Sequence, residues 1–211
     1  MPNLINVIYI LLQAIIFMQL KNWWEEELNK LKVIKCQSLN KELSADVLVI
    51  GAGIAGLHAA LSLIEQGKSV ILLEKSMCAS SSSGKSSGFL TPDSELELYQ
   101  LIRRFGLDGA KEVWEIPTKG VQLIVKTAVK YNIDYTLENQ DCLFVGLGKS
   151  GLEDVKEEVE AHKSMKINHK FYDANELKKI IGTNAYSSGI RTFNTYAISS
   201  LLYCNELKKI L

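Results

Sequence analysis

Ala45–Glu74 constrains the fold of this chain more than any other stretch. It reads as an apolar run, Val47–Ile50, then Gly51-Ala52-Gly53-Ile54-Ala55-Gly56, then a helical pattern, then a second apolar run, Ser69–Leu73, ending at Glu74. A continuous apolar run suits a strand buried on both faces of a parallel sheet. Gly51 allows a tight turn out of the first strand. Gly53 lets a pyrophosphate approach the backbone, and Gly56 lets the next helix lie close to the strand. The spacing predicts a helix from Ile54 to Gln66, with Leu57, Leu61 and Ile64 toward the sheet, Ala60 at a second close contact and Gly67 as the stop. Its free N–H groups and positive dipole end face the phosphates.

A G-x-G-x-x-G alone is weak evidence. Here it follows a strand, opens a helix and has an acid about 20 residues on, which is the context the motif requires. Glu74 is placed to accept hydrogen bonds from a ribose 2′-OH, which favours FAD or NAD over NADP. The alternative is a glycine-rich turn that binds nothing, and every part of the context argues against it. The expected fold class is therefore α/β, a Rossmann-like FAD/NAD(P)-binding βαβ domain.

Hydrophobic residues make up 47% of the 211, ample for a core. Lys plus Arg balance Asp plus Glu at 24 each, so no basic patch points to nucleic acid. Cys36, Cys78, Cys142 and Cys204 lie far apart and form no C-x-x-C pair. They read as reduced thiols of a cytoplasmic protein, with no disulfide framework and no metal site. His58, His162 and His169 do not cluster in sequence, and His58 reads as a solvated or partly packed side chain.

Residues 1–20 carry no charged side chain, and Leu4–Leu20 is apolar apart from Asn6, Gln13 and Gln19. Two readings fit this segment. One is a membrane anchor at residues 4–20, with Lys21, Lys30, Lys32 and Lys35 holding the rest on the cytoplasmic side. The other is an upstream extension before a start at Met18. Residues 21–44 read as an amphipathic helix, Asn22–Lys32, and a connector.

The nucleotide unit is expected at 45–93. Its Ser80–Gly88 loop leaves the carboxyl end of the second strand, where ligands of open α/β sheets bind. Residues 94–211 read as a run of helices with a β-hairpin among them. A helix is expected at Ser94–Phe105, capped by Ser94, and another at Ala110–Tyr131 with a break near Pro117. Tyr135–Leu147 is expected to form a β-hairpin turning at Glu138–Asp141. Then come a charged surface helix at Gly151–Lys163, a strand at Asn168–Tyr172, a short helix at Ala174–Ile181 ending at Gly182, an extended Ser188–Thr195 and a helix at Ile198–Leu211.

Ala45-Asp46-Val47 running into Gly51–Leu57, then Leu72-Leu73-Glu74-Lys75, then Ser83-Gly84-Lys85-Ser86-Ser87-Gly88-Phe89-Leu90 together resemble the FAD-dependent oxidoreductases of the D-amino-acid oxidase superfamily, glycine and γ-glutamylputrescine oxidases among them. The third segment resembles the family's G-A-S-G-R-N-S-G-F-L loop beside the flavin. Ser81, Ser82, Lys85 and Ser86 stand in place of its Gly, Ala, Arg and Asn. The resemblance implies FAD contacts from Gly51, Gly53, Ile54, Ala55, Gly56, Glu74, Lys75, Ser83, Gly84, Lys85, Ser86 and Gly88. It is sharp to residue 90 and looser to Leu211, and it implies that residues 94–211 are the start of an α+β substrate domain.

The resemblance implies an amine or amino-acid oxidase, in which a flavin takes a hydride from the C–H beside a small-molecule substrate's amine and oxygen reoxidises it. No catalytic base can be named. Arg191 offers a planar fork for a substrate carboxylate, with a surface or structural arginine as the plainer reading. The family's chains run on past this point, so an incomplete domain with a missing C-terminal half is expected. An NAD-binding dehydrogenase fits the glycines and Glu74 but not the Ser/Gly loop. A non-catalytic remnant or partner subunit is the reading from a different class.

Overall fold

The computed structural model describes Glu26 and residues 38–133 and 137–211. The N-terminal segment 4–20 and nearly all of the Asn22–Lys32 helix lie outside the described residues; Glu26 is helical. No helix among the described residues is long and apolar enough to cross a membrane.

The first unit is βαβ. Strand β1 (Val47–Ile50) pairs in parallel with β2 (Val70–Leu73), and helix α1 (Ile54–Glu65) crosses between them. Asp46 fixes the register from the side. Its carboxylate accepts the Ser69 N–H at 2.8 Å and the Ser69 hydroxyl at 2.7 Å. Helix α1 buries Leu57, Ala60 and Leu61, as its spacing predicts, whereas Ile64, expected on the same face, is exposed in the last turn of the helix. The Gly67 N–H closes the helix onto Ile64 O at 2.9 Å, with φ +79°. One face of the pair departs from expectation. Leu48 and Ile50 are 55% and 81% exposed, so among the described residues nothing covers them.

The second unit is a four-stranded antiparallel sheet built around β6 (Ser188–Ile198). Strand β4 (Leu137–Gly146) runs along one edge of β6. Strand β3 (Phe89–Leu90) and strand β5 (His169–Asp173) share the other edge. The hairpin expected at Tyr135–Leu147 is not formed. Leu137–Gly146 is one strand, with a register shift between Gln140 and Cys142. The polar run Glu138–Asp141 lacks glycine or proline to turn the chain, and the 11-residue β6 gives it a full-length partner. Residues 134–136 of the expected hairpin lie outside the described residues.

Helix α2 (Leu98–Lys130) also differs from its reading. It starts at Leu98, with Glu97 and Gln100 forming a capping box, while Ser94 turns away and donates to Leu96 O at 3.0 Å. Its interruption is at Gly106 (φ 71°, ψ 173°), and Pro117 is accommodated within the helix. Only glycine takes that φ/ψ without a Cβ clash, so the break moves to it.

Helix α3 (Gly148–Met165) is only half a surface helix, because Val155, Glu158, Val159 and His162 are buried. Helix α4 (Ala174–Ile181) is capped by Asp173 and stopped by Gly182. Helix α5 (Ser200–Ile210) follows β6 directly. It is the centre of the largest core cluster: Leu201, Tyr203, Cys204 and Leu207 pack with Leu57 and Leu61 of α1, Ala128 of α2 and Ile133.

Candidate FAD site at the glycine turn

The turn between β1 and α1 is built on backbone geometry. Gly51 has φ +102° and donates its N–H to Leu73 O at 2.7 Å, so the turn is bonded to the end of β2. Gly56 lies against that turn. A Cβ there would sit 1.9 Å from Gly51 O, so the helix approaches the strand as closely as a residue without a side chain permits. Gly53 precedes the first turn of α1, and no side chain of its own caps the helix. First-turn N–H groups have no intrahelical partner, and Ala55 and Gly56 supply two of them.

The facing wall is the serine loop. A short 3₁₀ turn, Ser82–Lys85, carries Ser83 over Gly53. The Ser83 hydroxyl accepts the Ile54 N–H at 3.1 Å and stands 3.0 Å from where a Gly53 Cβ would be. Gly84 is buried. A Cβ there would meet Ala79 O at 2.1 Å and Leu201 Cδ1 at 2.8 Å. Lys75, Lys85 and Ser86 lie on the exposed rim, and Gly88 is buried at the entry to β3. The structure thus brings Gly51 through Gly56, Glu74, Ser83 and Gly84 together.

Glu74 does more than its position at the end of β2 suggested. Oε2 accepts the Ala52 N–H at 2.9 Å and Oε1 accepts the Ser76 N–H at 2.9 Å. The Ala52 and then the Ser76 N–H groups hold this carboxyl below the usual glutamate range. Each carboxylate oxygen has a second lone pair, so the group can grip the turn and still accept from a ligand hydroxyl.

Arg191 is not free for a substrate. Its Nε donates to Asp141 Oδ2 at 2.6 Å, its Nη2 donates to the same oxygen, and its guanidinium lies 5.3 Å from the Phe193 ring centroid. The pair belongs to a cleft of about 720 Å³ lined also by Asn139, Tyr172 and Ile180. Tyr196 stands on β6 opposite Leu90.

Three features had no sequence signal. His58 meets Tyr203, with Nε2 and Oη 2.9 Å apart. Cys78 backs the glycine turn, donating to Ala52 O at 3.4 Å. Glu158 accepts the Leu98 and Tyr99 N–H groups at 3.3 Å each, beside the equally buried His162. Burial pushes the Glu158 carboxyl up to about 7 and the His162 imidazole down. No group of three His, Cys, Asp or Glu among the described residues is arranged to hold a metal ion.

Residues 46–211 match the family described as FAD dependent oxidoreductase (DAO), and the chain belongs to it. It is 33% identical over 167 residues to the probable oxidoreductase OrdL of Haemophilus influenzae, covering 78% of this chain and 38% of that protein. It is 27% identical over 156 residues to the γ-glutamylputrescine oxidoreductase of Escherichia coli, covering 72% of this chain and 36% of that protein. Among solved structures, the L-amino acid deaminase of Proteus myxofaciens superposes with a TM-score of 0.63 at 17% identity, over 84% of this chain and 38% of that one, a likeness of fold. The chain therefore spans less than two fifths of the length of these relatives.

Proposed function

We propose that this chain binds the adenosine-diphosphate half of FAD at the glycine turn and serves an oxidoreductase acting on the CH–NH group of a small amine or amino acid. The observation that carries the reading is the placing of the Ser82–Lys85 turn against the first turn of α1, where Ser83 meets the Ile54 N–H, with Glu74 beside it. Gly53 keeps the approach open. The Ala55 and Gly56 N–H groups and the helix dipole attract a diphosphate. Ser83 covers the Ile54 N–H and is displaced or shared when a diphosphate enters. Glu74 accepts from the ribose while holding the Ala52 turn. Lys75, Lys85, Ser86 and Gly88 border the same opening. When bound, the flavin supplies hydride-accepting redox chemistry that side chains lack, and the protein supplies position and electrostatics.

The family and the γ-glutamylputrescine oxidoreductase among its relatives support the CH–NH assignment. Residues 45–93 form the nucleotide unit of this reading, and residues 94–211 begin the substrate unit. Cytoplasmic residence is the localisation of this reading, with residues 4–20 either a membrane anchor or an extension before a start at Met18. The open face at Leu48 and Ile50 supports a further polypeptide segment over the sheet, because parallel sheets are covered on both faces.

The test is titration of the purified chain with FAD, read by flavin fluorescence, against Gly53→Glu. Saturable binding that the substitution abolishes is expected, because a carboxylate would stand in the diphosphate path. Equal affinity in both proteins would overturn the site. Saturable binding of NAD and not FAD would transfer the site to a nicotinamide cofactor.

A further inference from the structure

Helix α5 packs against both α1 and the serine turn of the candidate site and reaches the glycine turn through Cys78. His58 lies one turn beyond Ile54 on α1, and its Nε2 is 2.9 Å from Tyr203 Oη. The two rings stack with centroids 5.8 Å apart and planes at 26°. Tyr203 has no exposed surface and His58 is half-buried. Burial keeps the phenol protonated and the imidazole neutral, and the Thr127 hydroxyl of α2 also bonds the phenol. The phenol and the neutral ring therefore share one hydrogen bond, its direction set by the imidazole tautomer, in a pairing shielded from competing water.

The same helix reaches the serine turn and the glycine turn. Leu201 in its first turn lies 2.8 Å from the Cβ position of Gly84, directly beneath the serine turn. The Cys78 thiol shares its one proton between the Cys204 carbonyl at 3.6 Å and Ala52 O in the glycine turn at 3.4 Å. A helix is stiff over this length. A shift of α1 relative to α5 therefore changes the gap between the first turn of α1 and Ser83, which is closed now by the 3.1 Å bond from the Ile54 N–H.

We infer that α5 sets the spacing between the first turn of α1 and the serine turn, and that His58 and Tyr203 are positioning residues whose mutual hydrogen bond fixes the one opposite the other. This rests on the FAD reading of the same site. Neither side chain needs to touch the cofactor. The leucine contacts of α1 and α5 supply the adhesion, and the directional bond supplies the register.

The experiment compares wild-type chain with Tyr203→Phe, His58→Leu and His58→Gln. Glutamine keeps a group that can donate to or accept from the phenol, and leucine removes it. FAD affinity is measured well below the melting temperature of each protein, with amide hydrogen exchange at Ile54, Ala55 and Gly56 as the second readout. The expected result is FAD binding about tenfold weaker in Tyr203→Phe and His58→Leu, within about threefold of wild type in His58→Gln, and no weaker in the Tyr203→Phe/His58→Leu double variant than in either single one. The three amides should exchange faster in the two weakened variants. Unchanged exchange at those amides overturns the inference whether or not FAD binds. Wild-type FAD affinity in Tyr203→Phe with only a lower melting temperature also overturns it. Failure of the wild-type chain to bind FAD sinks the cofactor reading instead and leaves the exchange data to decide the inference. Should Tyr203→Phe misfold, the His58→Leu and His58→Gln pair carries the comparison.

Discussion

Gly56→Ala is the sharpest probe of how the glycine turn works. The added Cβ would sit 1.9 Å from Gly51 O, 3.1 Å from Gly51 C and 3.5 Å from Val49 Cγ1. Real Cβ atoms do not come closer than 3.0 Å, and the obstacle is backbone, which cannot rotate aside. The start of α1 must therefore retreat by more than an ångström from the end of β1. Overpacking of this kind costs about 1–3 kcal/mol. For a chain of this size each kcal/mol lowers Tm by roughly 2–4 °C. Binding suffers separately. A phosphate oxygen held at a hydrogen-bonding distance from the Ala55 or Gly56 N–H loses that bond after such a retreat. A bond to a charged group contributes about 1.5–3 kcal/mol, so losing one weakens FAD by roughly tenfold to a hundredfold. The control is Gly120→Ala on α2, where a Cβ meets nothing within 4 Å. That change should stabilise slightly, since alanine favours a helix over glycine by up to about 1 kcal/mol. Thermal melts and FAD fluorescence titrations of both variants settle the matter. If Gly56→Ala melts and binds like Gly120→Ala, the close approach of α1 to β1 is not what shapes this site.

Two further predictions follow from the buried and bonded carboxylates. Glu74→Ala should weaken FAD by roughly tenfold or more and also lower Tm, because it removes an acceptor for the ribose together with the bonds from the Ala52 and Ser76 N–H groups; an effect on binding below about twofold in a fluorescence titration would mean that the carboxylate serves the turn alone. Glu158 has its carboxyl raised to about 7 from 4.5 in the folded chain, so the fold binds the extra proton between those values and loses stability as pH rises through that window. His162, lowered from 6.5 by burial, contributes the opposite slope on the acid side. The difference in Tm between wild type and Glu158→Gln, followed from pH 4.5 to 8, isolates the glutamate: the gap should move in favour of the glutamine protein as pH rises, and a gap independent of pH would refute the assignment.

What the sequence determined by itself is the part of the molecule held by local rules. The G-x-G-x-x-G spacing, the helix behind it, Gly67 at its stop and the acid at the end of β2 all appear where the pattern puts them. Each depends on a turn conformation, a helical period or a strand end, and those are written in neighbouring residues. Helix α4 is legible for the same reason, since its Asp173–Glu176 capping box and its Gly182 stop are local. Tertiary structure decided the rest. Helix α2 begins at Leu98 and not at Ser94 because Glu158, 60 residues away, accepts its first N–H groups. The polar run Glu138–Asp141 is strand and not turn because β6 pairs with it from across the sheet. Glu158 and His162 look like one charged face of a surface helix until α2 covers them. His58 acquires its role only from Tyr203, 145 residues on, and the fork of Arg191 is claimed by Asp141, 50 residues back. Hydrogen-bond partners at such separations leave no periodic trace in the chain, because burial of apolar surface drives the packing and only the packed fold brings the two groups to the same place, where leaving either one unpaired would be costly.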